Sequence, residues 1–255
     1  MEIGEFLREK VMAVQEYSIL SWTAIANIFR RPFYWGDFFT QADLIGVGSV
    51  PIVILTGFFT GGVLALNSTA TLAQFGAKAV TGTLVSLSMV KELGPVLTGL
   101  MVSGRNASGM ASELGSMQVT EQIDAMRALG TDPVKKLITP RVLSTIIMLV
   151  FLTIISDALG ILGGGWISST MGISATQYFH MAYQSLRNPD ILEGLMKPLF
   201  FGYIIATIGC YFGMSTRGGT QGVGRSTTQA VVYSSILIIF SDFLISRLTI
   251  GIFGR

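Results

Sequence analysis

Two charged residues, Lys91 and Glu92, lie side by side within an apolar stretch that runs from 80 to 103. A stretch of that length can cross a bilayer as one helix, because about 20 residues span the hydrocarbon layer. Charged side chains at such a depth cost roughly 2.5–3.5 kcal/mol each on insertion scales, and they usually mark the place where a membrane protein works. These two residues are therefore the first candidates for a functional site.

Gly94 and Pro95 follow the charged pair directly. A proline has no N–H to donate to the carbonyl four residues earlier, which here belongs to Lys91, so the sequence predicts a helix kink at Gly94 and Pro95. Adjacent residues on a helix point about 100° apart, so Lys91 and Glu92 cannot pair with each other. One or both must face a neighbouring helix, a second protomer or a water-filled cavity.

The composition defines the class of protein. Of 255 residues, 50% are hydrophobic and 13% are charged, whereas soluble domains are about 25% charged. The chain is therefore an integral membrane protein. One cysteine and one histidine exclude a disulfide, a cysteine-based metal site and a multi-histidine metal site. We predict a protein that is not an enzyme and that holds no metal or cofactor of its own.

The apolar runs predict an all-α fold with five transmembrane helices. The runs cover 44–66, 80–103, 142–167, 198–214 and 230–253, and the fourth is short enough to begin earlier, near Ile191. The loops between them include 104–141 and a glycine-rich segment at 215–229. Within the spans, Asp157 is expected to have a structural role, and Asp242 is expected to pair with another helix rather than with Arg247.

Residues 1–40 differ in character from the rest. Apolar residues between Ile3 and Val14 recur at helical spacing opposite glutamates, which predicts an amphipathic helix lying on the membrane or packed on the protein's own flank. Aromatic residues are mixed with Arg30 and Arg31 over 18–40, which is typical of the headgroup layer. We therefore divide the chain into an interfacial element, 1–40, and a single five-span domain, 41–255.

The distribution of lysine and arginine gives an orientation. With a cytoplasmic N-terminus, eleven of these residues lie on the cytoplasmic side and five lie outside. The five are Lys78, Arg187, Lys197, Arg247 and Arg255. This imbalance predicts a cytoplasmic N-terminus, a periplasmic C-terminus and a cytoplasmic 104–141 segment.

The 104–141 segment contains a predicted short helix at 120–129, with Thr120 helping to start it and Gly130 and Pro133 ending it. Charges and small apolar side chains alternate on this helix. Its pattern fits either docking into a cleft of a cytoplasmic partner or lying on the membrane.

Residues 124–130, Asp-Ala-Met-Arg-Ala-Leu-Gly, resemble the E-A-A-x-x-x-G coupling-helix motif of permeases in ATP-binding-cassette (ABC) importers, with Asp for Glu and Met for the second Ala. Further segments carry a wider resemblance: Lys-Glu-Leu-Gly-Pro at 91–95, Ala-Ser-Glu-Leu-Gly at 111–115 and Gly-Val-Gly-Arg-Ser-Thr-Thr at 222–228. From about residue 44 onward the chain resembles the MlaE/YrbE family, the membrane subunits of MCE-linked lipid transporters.

That resemblance implies a homodimer in the bacterial inner membrane with a cytoplasmic ABC ATPase that binds the ATP, a periplasmic MCE ring and, in some complexes, a STAS-domain subunit. It implies contact with the ATPase through residues of the short helix: Glu121, Asp124, Ala125, Arg127, Leu129 and Gly130. It also implies a phospholipid cavity at the dimer interface with Lys91 and Glu92 near the headgroup, and with Leu64, Leu72 and Phe75 as candidates for its apolar wall.

Three alternatives stay open on the residues alone. Lys91 and Glu92 can form purely structural ion pairs that fix the dimer without contacting lipid. The protein can instead be an ion-coupled secondary transporter or channel that uses Glu92 and Asp242, although no inverted repeat is evident. A membrane scaffold without transport is the third reading.

Overall fold

A computed structural model of the protein describes residues 2–253, and every regular element within that range is a helix. The α-helices are α1 (Glu2–Ile28), α2 (Trp35–Ile45), α3 (Val50–Gln74), α4 (Thr81–Ser88), α5 (Gly94–Val102), α6 (Ser108–Val119), α7 (Gln122–Ala128), α8 (Thr139–Thr170), α9 (Ala175–Ser185), α10 (Asn188–Met214) and α11 (Gly219–Phe253).

The all-α, five-span prediction is confirmed for the part of the chain that the structure describes. Five helical segments there are long and apolar enough to cross a membrane: Trp35–Gln74, Lys78–Val119, Val134–Thr170, Asn188–Met214 and Gly219–Gly251. The fourth span does begin before Ile191. Buried residues from all five spans meet in one apolar cluster, among them Val53, Val102, Leu149, Phe201 and Ile238.

The helices extend further than the apolar runs, so two predicted loops are wrong. The second span continues to Val119 and has 42 residues, about 63 Å at 1.5 Å per residue, or twice the ~30 Å hydrocarbon thickness. Residues 104–119 are therefore the projecting end of that span. The glycine-rich segment is likewise helical from Gly219 onward. Polar residues such as those of 104–119 lower the hydropathy without opposing a helix once the chain has left the lipid.

The short helix between the second and third spans is present as α7. Gly130 has a φ of +75° and follows its last turn, as a helix-ending glycine does. Thr120 does not start the helix, because its hydroxyl donates instead to the Ser116 carbonyl at 2.8 Å. Ile123 is fully buried while most of α7 is exposed, so a single side chain anchors a helix that otherwise projects from the bundle.

Helix α1 confirms that the N-terminal stretch is helical. The side chains of residues 2–7, 9 and 10 lie outside the described part of the chain. Further along, the Tyr17 hydroxyl is 3.0 Å from the Thr207 hydroxyl of α10. Helix α1 therefore packs against the C-terminal part of α10. Val11 and Val14 are about two-thirds exposed. The interfacial position of α1 stays a prediction, as does the boundary at residue 40, which falls inside α2.

The first and third spans are held together by close backbone contact. A Cβ added at Gly61 would collide with the carbonyl oxygen of Gly160. Small residues permit such an approach, which is how helices associate where no hydrophobic force drives them together. The pairing of these two spans thus depends on glycine at that position.

We expect Gly61→Ala to lower the stability of the detergent-solubilised protein by about 1–3 kcal/mol, because overpacking against backbone forces the helices apart. Gly109→Ala is the matched control, since a Cβ there meets no atom within 4 Å and alanine favours a helix. Thermal unfolding of both variants measures the difference. Equal melting temperatures would show that the first and third spans do not need this contact.

Candidate functional site

The centre of the candidate site is Lys197, a lysine of α10 that is fully buried. Its ammonium group donates to Glu92 Oε2 at 2.6 Å and lies 2.9 Å from Asp242 Oδ1. One cation thus joins a carboxylate of the second span to a carboxylate of the fifth. The expectation that Asp242 pairs with another helix is confirmed.

Lys91 forms a second set of ion pairs beside the first. Its ammonium group lies 3.1 Å from Glu193 Oε2 and 3.3 Å from Asp190 Oδ1, both on α10. The Thr249 hydroxyl of α11 donates to Glu193 Oε1 at 2.8 Å. We call the two lysines and their four carboxylate partners the ion-pair cluster; its members are Lys91, Glu92, Asp190, Glu193, Lys197 and Asp242.

Helical spacing brings these residues together. On α10, positions 190, 193 and 197 follow one another at intervals of three and four, so they share one face. The same holds on α11 for Asp242, Ser246 and Thr249; the Ser246 hydroxyl donates to Glu92 Oε1 at 3.1 Å. The second span lies against both faces and supplies Lys91 and Glu92, which point to different partners, as their adjacency requires.

The backbone at Lys91 explains why the second span needs a donor from outside. Pro95 cannot donate to the Lys91 carbonyl, and Lys197 Nζ donates to it instead at 2.7 Å. The helix does not end there but widens into a π-helical turn over Met89–Leu93 and resumes at Gly94. Such turns within α-helices often occur at functional sites.

Gly94 also gives room to a buried carboxyl of the third span. A Cβ at Gly94 would overlap Asp157 Oδ1, which has no hydrogen-bond partner among the described residues. Asp157 therefore packs against the backbone just past the π-helical turn and does not join the ion-pair cluster. Its expected structural role stays a prediction, as does the kink at Gly94 and Pro95.

An open groove of about 410 Å³ lies between the first and second spans. It is lined mainly by the first span, with Leu93 of the second span completing it; the residues are Phe59, Thr60, Val63, Leu64, Asn67 and Leu93. Leu93 follows Glu92 in the chain, and Glu92 keeps 43% of its side chain exposed, but the two side chains point in different directions: Leu93 faces the groove and Glu92 faces α10 and α11. Leu64, predicted for an apolar wall, lines the groove.

The other two residues predicted for that wall lie elsewhere on the same helix. Leu72 is half-buried two turns beyond Leu64, and Phe75 follows the end of α3 with 77% of its side chain exposed. At 1.5 Å per residue they lie about 12 and 16 Å further along the axis. One chain therefore brings Leu64 to the groove and leaves Leu72 and Phe75 outside it.

The predicted ATPase-coupling residues form a separate surface around α7. Asp124 and Arg127 pair with each other at 2.8 Å and are each about half exposed. Glu121, Ala125, Leu129 and Gly130 are exposed as well, and Leu129 presents 83% of its surface. An apolar knob beside a charge pair on a projecting helix suits a protein partner, so the coupling role stays a prediction that the geometry allows.

Sequence reasoning missed Asp190, Glu193, Lys197, Ser246 and Thr249. The apolar run begins at Pro198, so the sequence predicts Lys197 at the end of an outer loop. The signal that was available is the three-and-four spacing of charged residues in front of that run, which predicts one polar helix face. Glu92 and Asp242, both already candidates, required a cation partner, and Lys197 is the one that fits.

The five spans define a multi-pass membrane protein. The family model for the permease MlaE matches residues 38–248, and the chain belongs to the MlaE permease family. A probable ABC transporter permease protein of Rickettsia felis is 41% identical over 247 residues, which is 96% of this chain and 95% of the relative. The chain is accordingly a permease subunit of an ABC transporter.

Two further relatives have more specific names. The intermembrane phospholipid transport system permease protein MlaE of Haemophilus influenzae is 32% identical over 213 residues, 83% of this chain and 82% of the relative. The chloroplastic protein TRIGALACTOSYLDIACYLGLYCEROL 1 of Arabidopsis thaliana is 36% identical over 229 residues, 89% of this chain and 65% of the relative. This chain is similar to both over most of its length.

Proposed function

We propose that this protein moves phospholipid or a related lipid between the bacterial inner membrane and a periplasmic MCE ring, while a separate ATPase subunit hydrolyses the ATP. The observation that carries the proposal is the apolar groove at Leu64 and Leu93, on the same span as the ion-paired and half-exposed Glu92. Acyl chains require apolar walls and headgroups require a few polar groups. Family membership and the name of the Haemophilus influenzae relative support a phospholipid cargo.

A homodimer would complete the cavity. Within one chain the groove is open along the first span, where Phe59 and Val63 are more than half exposed. Lipid or a second protomer must cover such a face in the membrane. The ion pairs of Lys91 and Glu92 are made within one chain, so they can orient the groove without forming the dimer contact themselves.

The ATPase would act through α7, on the cytoplasmic side, with the N-terminus cytoplasmic and the C-terminus periplasmic. Because the second span joins α7 to Lys91 and Glu92 as one helical segment, displacement of α7 by the closing ATPase would reach the ion-pair cluster. The second span contains two π-helical turns, Met89–Leu93 and Ser103–Ala107. The geometry of the helix can change at such turns. A STAS-domain subunit belongs to this proposal as an optional partner.

The competing function, an ion-coupled transporter or channel that uses Glu92 and Asp242, is less well supported. Both carboxylates lie within 3 Å of Lys197 Nζ, so the lysine occupies the position that a transported cation would take. A fixed internal cation favours a structural centre over an ion pathway.

Affinity purification of the tagged protein from its native membrane separates these functions. The proposal expects a stoichiometric ATPase and an MCE protein in the purified complex, and phospholipid in its mass spectrum. A protein that purifies alone and conducts ions in liposomes would contradict it.

Filling the groove should reduce the lipid that purifies with the protein. We expect Val63→Trp to lower the phospholipid-to-protein ratio at least about twofold, because an indole ring takes up much of a pocket of this size. Phe151→Trp is the matched control: Phe151 is as exposed as Val63 but lies on the third span outside the groove. An unchanged ratio in Val63→Trp would place the lipid elsewhere.

A further inference from the structure

The elbow between α1 and α2 brings four cationic residues together. Arg30 and Arg31 belong to the elbow, and Lys135 and Lys136 come from the turn before α8. Lys135 Nζ donates to the Arg31 carbonyl at 2.7 Å, and Lys136 pairs with Asp37. Among the described residues Asp37 is the one carboxylate paired with these four, so the elbow keeps a positive excess.

Aromatic residues lie in the same elbow, and two of them are strongly exposed. Phe29 presents 86% of its surface and Trp35 presents 60%. Lys136 Nζ lies 4.2 Å from the centre of the Tyr34 ring, close enough for a cation–π contact. Large apolar rings beside arginine are unfavourable in water but suit the boundary between headgroups and acyl chains.

A cavity of about 490 Å³ opens at the elbow. Arg30, Arg31, Phe29 and Trp35 line it from the elbow, and Leu143 lines it from the third span. The lining therefore combines two guanidinium groups with aromatic rings and with a leucine of a membrane-spanning helix. A molecule that fits carries negative charge at one end and an acyl chain at the other.

We propose that this elbow is a binding site for an anionic phospholipid, with the headgroup phosphate at Arg30 and Arg31 and an acyl chain along Leu143. The site is separate from the groove at Leu64, and the lipid bound there is a structural lipid that is not transported. Charge complementarity selects an anionic headgroup over a zwitterionic one. The exposed rings at the beginning of the first span favour a membrane over an acidic protein surface.

Quenching of Trp35 fluorescence by brominated lipid tests the site directly. Phenylalanine at positions 22 and 166 leaves Trp35 as the single tryptophan, and the full-length protein is placed in nanodiscs with the same minor fraction of brominated phosphatidylglycerol or brominated phosphatidylcholine. We expect the anionic lipid to quench Trp35 at least about threefold more efficiently, and the difference to shrink at high salt.

Two controls make the result specific. With Trp166 as the single tryptophan, near the other end of the third span, both brominated lipids should quench equally. In the single-Trp35 protein, Arg30→Gln with Arg31→Gln should abolish the anionic preference. Arg217→Gln with Arg225→Gln, which removes the same charge elsewhere, should leave it intact.

Three outcomes would overturn the proposal. The first is equal quenching of Trp35 by the two lipids. The second is absence of quenching by either lipid, which would mean that a protein surface covers the elbow. The third is equal loss of preference in both double-arginine variants, which would reduce the effect to net charge. If the variant with both Arg30 and Arg31 replaced does not fold, the proposal is still tested by comparing the two brominated lipids on the single-Trp35 protein that keeps both arginines.

Discussion

Lys197→Met is expected to destabilise the protein by about 3–5 kcal/mol, the cost of removing one partner from a buried ion pair. The substitution would leave Glu92 and Asp242 without the cation that lies between them, and the Lys91 carbonyl without its donor. Thermal unfolding in detergent and the yield of folded protein measure the loss. Lys78→Met, at an exposed lysine near the start of the second span, should have little effect.

A second comparison separates unpaired charge from lost packing. Lys197→Met combined with Glu92→Gln and Asp242→Asn removes the charges together, and buried ion pairs replaced as a group often cost little. We therefore expect this triple variant to recover most of the stability that the single variant loses. A single variant as stable as the native protein would mean that the ion-pair cluster does not hold the three helices together.

Replacing both Asp124 and Arg127 with alanine is expected to weaken association with the ATPase at least about tenfold, equivalent to roughly 1.4 kcal/mol, and to reduce lipid transport with it. The fold should survive, because an exposed ion pair contributes about 0–1 kcal/mol and Ile123, the buried anchor of α7, is untouched. Co-purification of the ATPase with the tagged variant measures the association.

The exchange of the two charges, Asp124→Arg with Arg127→Asp, is the informative control. It keeps an ion pair on α7 but exchanges the positions of the two charges. A partner whose own charges are complementary to Asp124 and Arg127 should therefore still fail to bind. If assembly and transport survive in both variants, α7 is not the helix that couples ATP hydrolysis to transport.

The five spans were predictable because hydropathy over about 20 residues reports burial in lipid, whatever the neighbours are. The ends of the helices were not predictable, because hydropathy does not detect helical residues that lie outside the hydrocarbon layer. Residues 104–119 and the glycine-rich start of α11 are polar enough to read as loops, yet they continue the helices of which they are part. Helix length beyond the bilayer depends on packing against neighbouring helices.

The candidate site was only partly predictable for a related reason. Lys91, Glu92 and Asp242 stood out because a charge in an apolar run is costly, and the angle between adjacent residues correctly excluded a pair between the first two. The partners of Lys91 and Glu92 come from α10 and α11, more than 90 residues away in the chain, and Lys197 is 45 residues from Asp242. A single sequence carries no direct signal for that proximity, and Lys197, directly before Pro198, lies at the predicted end of a loop.

Photo-crosslinking of a phospholipid to the assembled complex tests the central claim most directly. A phospholipid with a photoreactive acyl chain is incorporated into the membrane, irradiated, and its adducts on this protein are mapped by peptide mass spectrometry. The account predicts adducts at the groove residues, including Leu64 and Leu93, that diminish when ATP is turned over. Adducts confined to other surfaces, with the groove unlabelled in every state, would contradict it.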